Sequence, residues 1–89
     1  MQTIFSPTRI TITENNTELG EMKISIKDGV LTAHHTEAFP AGEGKGIGKR
    51  LFAAMSDHVF ENGLKLKPSC TFVQAMVKRD PEKYKNILV

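Results

Sequence analysis

Between Pro40 and Leu51 the chain reads PAGEGKGIGKRL, with glycines at positions 42, 44, 46 and 48. The run follows a strand-like segment and opens a helix-like one. Glycines leave backbone N–H groups unshielded, and a helix start adds the positive end of its dipole, a combination that cradles phosphate or pyrophosphate. A flexible turn, or close packing against a neighbouring strand, would use the same residues. Two familiar phosphate motifs fail on spacing. A P-loop ending at Gly48-Lys49 would need glycine at 43 and Ser or Thr at 50, where the chain has Glu43 and Arg50. A G-x-G-x-x-G fingerprint fails from Gly42, whose sixth position is Ile47, and from Gly44, whose sixth is Lys49.

Other reactive side chains flank this loop. Cys70 is the only cysteine and falls where a strand ends and a helix begins. A helix N-terminus favours thiolate, although most lone cysteines are small buried hydrophobes. His34 and His35 are adjacent in a strand, so they are expected on opposite faces, with only one able to face a ligand. An imidazole with a pKa near ~6.5 can act as a base, as can a partly desolvated carboxylate such as Glu37. His58 reads as helix packing and Tyr84 as C-terminal packing.

The elements that position these residues change period midway. Ile10 and Ile12 alternate with polar residues in Arg9–Glu14, and Met22, Ile24 and Ile26 alternate in Glu18–Lys27, so each segment is expected to bury one face. Asn15-Asn16-Thr17 marks a turn, and Asp28-Gly29 marks a tight hairpin into a strand over Val30–Glu37. Lys45–Asn62 carries Ile47, Leu51, Phe52, Met55 and Val59 at helical spacing and stops at Asn62-Gly63. Leu64–Lys67 is a short strand, Thr71–Arg79 a short amphipathic helix, and Asp80-Pro81 starts a last helical turn with Asp80 as cap. A strand, a helix and a strand in succession make a βαβ crossover, so the last two strands should run parallel and the earlier ones antiparallel. The expected fold is α/β, a mixed sheet with helices packed on it.

Composition bounds the rest. Eighty-nine residues make one domain, 1–89, and 39% hydrophobic with 25% charged residues is ordinary globular usage. No apolar run approaches the roughly 20 residues of a membrane span, and the N-terminus lacks a signal-peptide pattern. A lone cysteine excludes an internal disulfide and a thiolate metal cluster, and points to a reducing cytoplasm. The net charge of +2 is unevenly shared. Residues 1–44 hold three basic and six acidic side chains, whereas residues 45–89 hold nine and four. A basic half attracts polyanions, either a phosphorylated cofactor or nucleic acid. The aromatics are not interleaved with Lys and Arg as a base-stacking platform requires, which argues against nucleic acid.

The segment P40-x-x-x-G44-K45-G46-I47-G48 resembles the coenzyme A loop of the GNAT superfamily of N-acetyltransferases, [QR]-x-x-G-x-[GA]. His35-Thr36-Glu37 upstream, Pro68-Ser69-Cys70-Thr71-Phe72-Val73 after the next strand, and Arg79-Asp80-Pro81-Glu82 with Tyr84 beyond it resemble the small single-domain members, which carry H-T-x-V and P-x-C-x-[FY]-V. The likeness spans roughly residues 20–89. Three positions depart from the pattern. Glu43 stands for Gln or Arg, Ala38 for the usual Val, and Asp80 for a common His.

The resemblance implies a GNAT-like fold and transfer of acetyl from acetyl-CoA, with no metal, to a small amine, a polyamine or a protein lysine. It places acetyl-CoA between the strand ends near Ala38 and Pro68. Amides at Thr36, Glu37 and Ala38 would pair with the pantetheine arm. The loop Glu43, Gly44, Lys45, Gly46, Ile47, Gly48 and Lys49 would take the pyrophosphate, with Cys70 and Thr71 at the thioester. Cys70 becomes the expected catalytic residue, as nucleophile or acid, and His35 or Glu37 the base. The N-terminal helices that shape the acceptor pocket in larger members are missing. A CoA-binding module with little or no transfer is the alternative.

Overall fold

The computed structural model describes residues 1–89. Its elements run β1 (Gln2–Phe5), β2 (Arg9–Glu14), β3 (Thr17–Lys27), β4 (Val30–Ala38), a short 3₁₀ turn (Pro40–Gly42), α1 (Ile47–Glu61), β5 (Lys65–Pro68), α2 (Thr71–Lys78) and α3 (Pro81–Tyr84). The five strands form one sheet in sequence order. The first three pairings are antiparallel and β4–β5 is parallel, as the crossover requires. Both tight turns use left-handed backbone: Asn15 and Asn16 have φ of 52° and 64°, and Asp28 and Gly29 have 53° and 77°. These are the residue types that tolerate it.

The three helices pack on one face of the sheet around a single cluster of 17 buried side chains. Ile10, Met22, Leu31, Leu51, Met55, Val59, Leu66 and Val73 in that cluster are fully buried. Tyr84 joins it, with its hydroxyl 2.8 Å from Ser56 Oγ and its ring edge-on to Phe52, so it packs as expected. No helix is long and apolar enough to cross a membrane.

Several expectations are corrected. β1 was not foreseen: it is short, exposed along its whole length, and pairs with β2. Ile26 is 42% exposed, because β3 runs on past the helices that cover Met22 and Ile24. Asp80 precedes α3 without a side-chain capping bond. His58 does pack, but outward, stacking on Phe5 with ring centroids 5.0 Å apart.

The correction that matters most lies in β4. The pairing shifts register between Lys23 and Ile24, leaving His34 as an extra residue opposite them. This is a β-bulge, and it breaks the two-residue alternation. His34 Nε2 lies 2.8 Å from Ser25 Oγ, and His35 pairs with Lys23. Ser25 and Lys23 are two apart on β3 and share the sheet face turned away from the helices. Both histidines therefore lie on that outer face, rather than on opposite faces. Thr36, paired with the fully buried Met22, turns toward the helices in their place.

Candidate functional site

The bulge also decides which backbone groups of β4 remain free. The Ala33 carbonyl accepts from Ser69 N–H at 3.1 Å and Cys70 N–H at 2.9 Å, so Ala33 faces β5. Unbroken alternation would turn His35, Glu37 and Phe39 the same way. Yet Phe39 N–H donates to the Leu19 carbonyl of β3 at 2.9 Å. The extra residue reverses the order, so the polar groups of Thr36 and Ala38 point to the β5 side. β5 has ended by then: its last pair is Ala33–Pro68. The two strands part beyond that pair and leave an open edge at Thr36 and Ala38.

The glycine loop continues from this edge, and its four glycines divide into two jobs. A Cβ at Gly42 would lie 2.2 Å from the Leu19 carbonyl oxygen, and one at Gly48 would lie 3.1 Å from the Phe72 ring. These two serve close packing. Gly44 and Gly46 have φ of 77° and 68° with nothing near their Cβ positions, so they shape a left-handed path in open space. Gly46 precedes α1 with no side-chain cap. The N–H groups of Gly44, Gly46, Ile47, Gly48 and Lys49 find no acceptor in the chain; the helix ladder begins with Arg50 N–H on the Gly46 carbonyl. Five unpaired donors thus lie close together in sequence at one helix start. The Ile47 side chain is buried, so only its amide is offered.

Not every loop side chain joins them. Lys45 Nζ lies 3.0 Å from Glu14 Oε1 at the end of β2, which holds the Glu14 carboxyl below the usual carboxylate range. Glu43 is exposed and shares with Glu37, Ala38, Phe39 and Pro40 an open depression of about 510 Å³.

Cys70 occupies the mouth where the strands part. It is 8% exposed and precedes α2 as its N-cap residue, and its Sγ lies 3.4 Å from Thr36 Oγ1. Burial pushes the thiol up. The Thr36 hydroxyl and the amides of Val73, Phe72 and Thr36 together outweigh it, and the net direction is down. Thr71 follows, exposed, at the first position of α2.

His35 and Glu37 are elsewhere. His35 Nε2 lies 3.6 Å from Glu37 Oε1, both side chains more than half exposed on the outer face. No hydrogen bond or ion pair joins either to Cys70. The expected trio therefore resolves into a Cys70–Thr36 pair at the mouth and a His35–Glu37 pair on the far side of β4. The Thr36 hydroxyl was missed because the polar run His34–Glu37 carries no burial pattern from which a bulge could be read.

Comparison with known proteins agrees with this architecture. A GCN5-like protein from Staphylococcus aureus, solved by NMR, superposes with a TM-score of 0.69 over 99% of this chain and 87% of that one, at 24% identity. Protein NATD1 of Gallus gallus is 38% identical over 52 residues, 58% of this chain and 47% of that protein. Protein NATD1 of Homo sapiens is 38% identical over the same length, 46% of that protein. The matched segments thus span about half the length of these curated relatives. The family profile described as GCN5-related N-acetyl-transferase matches residues 9–87. A match over nearly the whole chain places it in a family: this protein belongs to the GCN5-related N-acetyltransferases.

Proposed function

We propose that residues 1–89 form one acetyl-CoA-binding domain that transfers acetyl to an amine. The observation that carries this reading is the continuity of donors, from the open β4 edge at Thr36 and Ala38 to the five unpaired amides that start α1. A pantetheine arm is itself a chain of amides and can add to the open edge as a strand does. A diphosphate fits the glycine turn and the helix start, where N–H donors and the dipole act together. The fit follows from the donor set, with Lys49 adding a cation beside it.

Bound acetyl-CoA supplies an acyl thioester. The chain supplies position, since the β4 edge and the loop hold the arm at both ends and fix where the thioester lies relative to Cys70. Cys70 acts at the thioester, as nucleophile or as acid, with Thr36 and the α2 amides favouring its thiolate. His35, or in its place Glu37, takes the single proton released by an acceptor amine that approaches from the outer face. That acceptor is a small amine, a polyamine or a protein lysine.

A CoA-binding module with little transfer is the second reading, favoured by the absence of any base in contact with Cys70. Thermal unfolding tests the binding step. CoA and acetyl-CoA should raise the melting temperature and NAD should not, the stabilisation reaching about 2.7 kcal/mol at a hundredfold excess over Kd. No shift at millimolar CoA overturns both readings. Free-thiol release from acetyl-CoA with a panel of amines separates them.

A further inference from the structure

The β4 bulge chooses which side chain Cys70 meets. Without the extra residue at His34, alternation would turn His35 toward the helices and Thr36 away. With it, Thr36 Oγ1 lies 3.4 Å from Cys70 Sγ, and the imidazoles go to the outer face. We propose that the Thr36 hydroxyl is a positioning residue for Cys70, donating a hydrogen bond that holds the sulfur at the mouth between β4 and β5 in its thiolate form.

The chemistry of the hydroxyl suits both protonation states. It can accept from the thiol S–H, as in the present geometry, and by rotating about its C–O bond it can donate to the thiolate. The second bond is the stronger, because the acceptor is charged. A hydrogen bond that favours the charged form shifts the equilibrium toward it.

The surroundings leave few competitors. The groups facing the sulfur are the Thr36 side chain and amide from β4 and the Phe72 and Val73 amides from α2, none with a formal charge. From β4, His34 is engaged with Ser25, and His35 with Glu37. From α1, Gly48 packs close to the Phe72 ring at this end of α2. The hydroxyl is therefore the one side-chain lever on the sulfur. It is separable from the β4 edge, which uses the Thr36 backbone.

This inference rests on the reading of Cys70 as the acting group, but its test does not need acetyl-CoA. Cys70 is the only thiol, so the rate of alkylation of the full chain by iodoacetamide, measured against pH, reports its ionisation alone. Thr36→Val keeps the β-branched shape and removes the hydroxyl. Its alkylation midpoint should rise by about one pH unit, a roughly tenfold slower reaction at neutral pH. Thr36→Ser keeps the hydroxyl and should stay close to the parent. Thr36→Ala makes the same comparison as valine if that variant does not fold, as judged by circular dichroism. An unmoved midpoint in a folded valine or alanine variant overturns the proposal, as does a serine variant that shifts as far as valine. A parent chain that fails to bind CoA while these shifts hold sinks the proposed function and leaves the role of Thr36 standing.

Discussion

At the carboxyl end of α1, the amides of Asn62, Gly63 and Leu64 donate back to the carbonyls of His58, Phe60 and Val59, and the Asn62 side chain adds a second bond to His58. Gly63 turns left-handed at φ 61° to make this closure. The amino end has a left-handed glycine of its own, Gly46, and none of that repair. Its first three helical amides, with those of Gly44 and Gly46, are unpaired. The amino end of α2 is similar, since its Phe72 and Val73 amides face the Cys70 sulfur and no side chain caps it. Both open ends lie beside the same gap between β4 and β5, and the closed end lies away from it. A helix end left without partners loses stability that a cap would add, about 1 kcal/mol. That cost falls where an anion or a thiolate would be held.

The largest effect should come from the α2 end. Cys70→Ala should cut turnover at least tenfold on a working acceptor, with CoA affinity little changed. Cys70→Ser separates the roles, since a serine without a base is a far weaker nucleophile. Incubation with acetyl-CoA and no acceptor adds a mass readout. In a covalent route the Cys70 sulfur attacks the thioester carbonyl, the bond to the CoA sulfur breaks, CoA leaves as thiolate, and the protein gains one acetyl group. No gain in mass, with Cys70→Ala still slow, favours direct attack by the amine and Cys70 as acid. Full activity in Cys70→Ala would make the residue a core filler and remove α2 from the comparison.

The two left-handed glycines of α1 give the next test. Gly46→Ala and Gly63→Ala introduce the same methyl at φ 68° and φ 61°, each with nothing within 4 Å. Each should cost about 1 kcal/mol, a fall of roughly 4–8 °C in melting temperature. Only Gly46→Ala should also weaken CoA binding, by about tenfold, the worth of one or two phosphate hydrogen bonds. Equal loss of affinity at Gly63 would mean that the ligand reads helix stability rather than the open end.

These two ends differ in how plainly the sequence announces them. Asn62-Gly63 and Asp28-Gly29 were legible because a left-handed backbone needs those residue types, and the helices and the βαβ order were legible from a change of period. The glycine loop reads as a phosphate site from its spacing, but residue type could not divide its packing glycines from its exposed ones. Gly42 and Gly48 are set by Leu19 and Phe72, partners remote in sequence. Lys45 likewise read as a phosphate ligand, and its partner Glu14 lies 31 residues earlier. The bulge at His34 was the least legible feature. A bulge is a relation between two strands, and a polar stretch such as His34–Glu37 has no apolar face to betray a change of parity. The sequence thus named the candidate residues, while the face each one occupies follows from strand pairing.

The smallest expected effect compares one charge at the two ends of α1. Glu43 is exposed on the loop, next in sequence to the first unpaired amide, and shares its depression with Glu37. A carboxylate there opposes the phosphates that the amides would hold. At 4 Å the repulsion is about 1 kcal/mol in bulk water. Glu43→Gln keeps the size and a hydrogen-bonding group but removes the charge. It should tighten CoA binding about fivefold at low salt, and the gain should shrink as salt screens it. Glu61→Gln makes the same change at the closed end. The 15-residue helix puts that site roughly 22 Å away, well beyond the Debye length of about 8 Å at physiological salt. It should leave CoA affinity unaltered and stabilise the fold by about 0.3–1 kcal/mol, because an acid opposes the negative end of the helix dipole. Calorimetric titration with CoA and thermal unfolding read both variants. If Glu43→Gln binds CoA no better than the parent, the carboxylate lies outside the phosphate field. If Glu61→Gln tightens binding equally, the effect is one of net charge, and the open end has no electrostatic claim of its own.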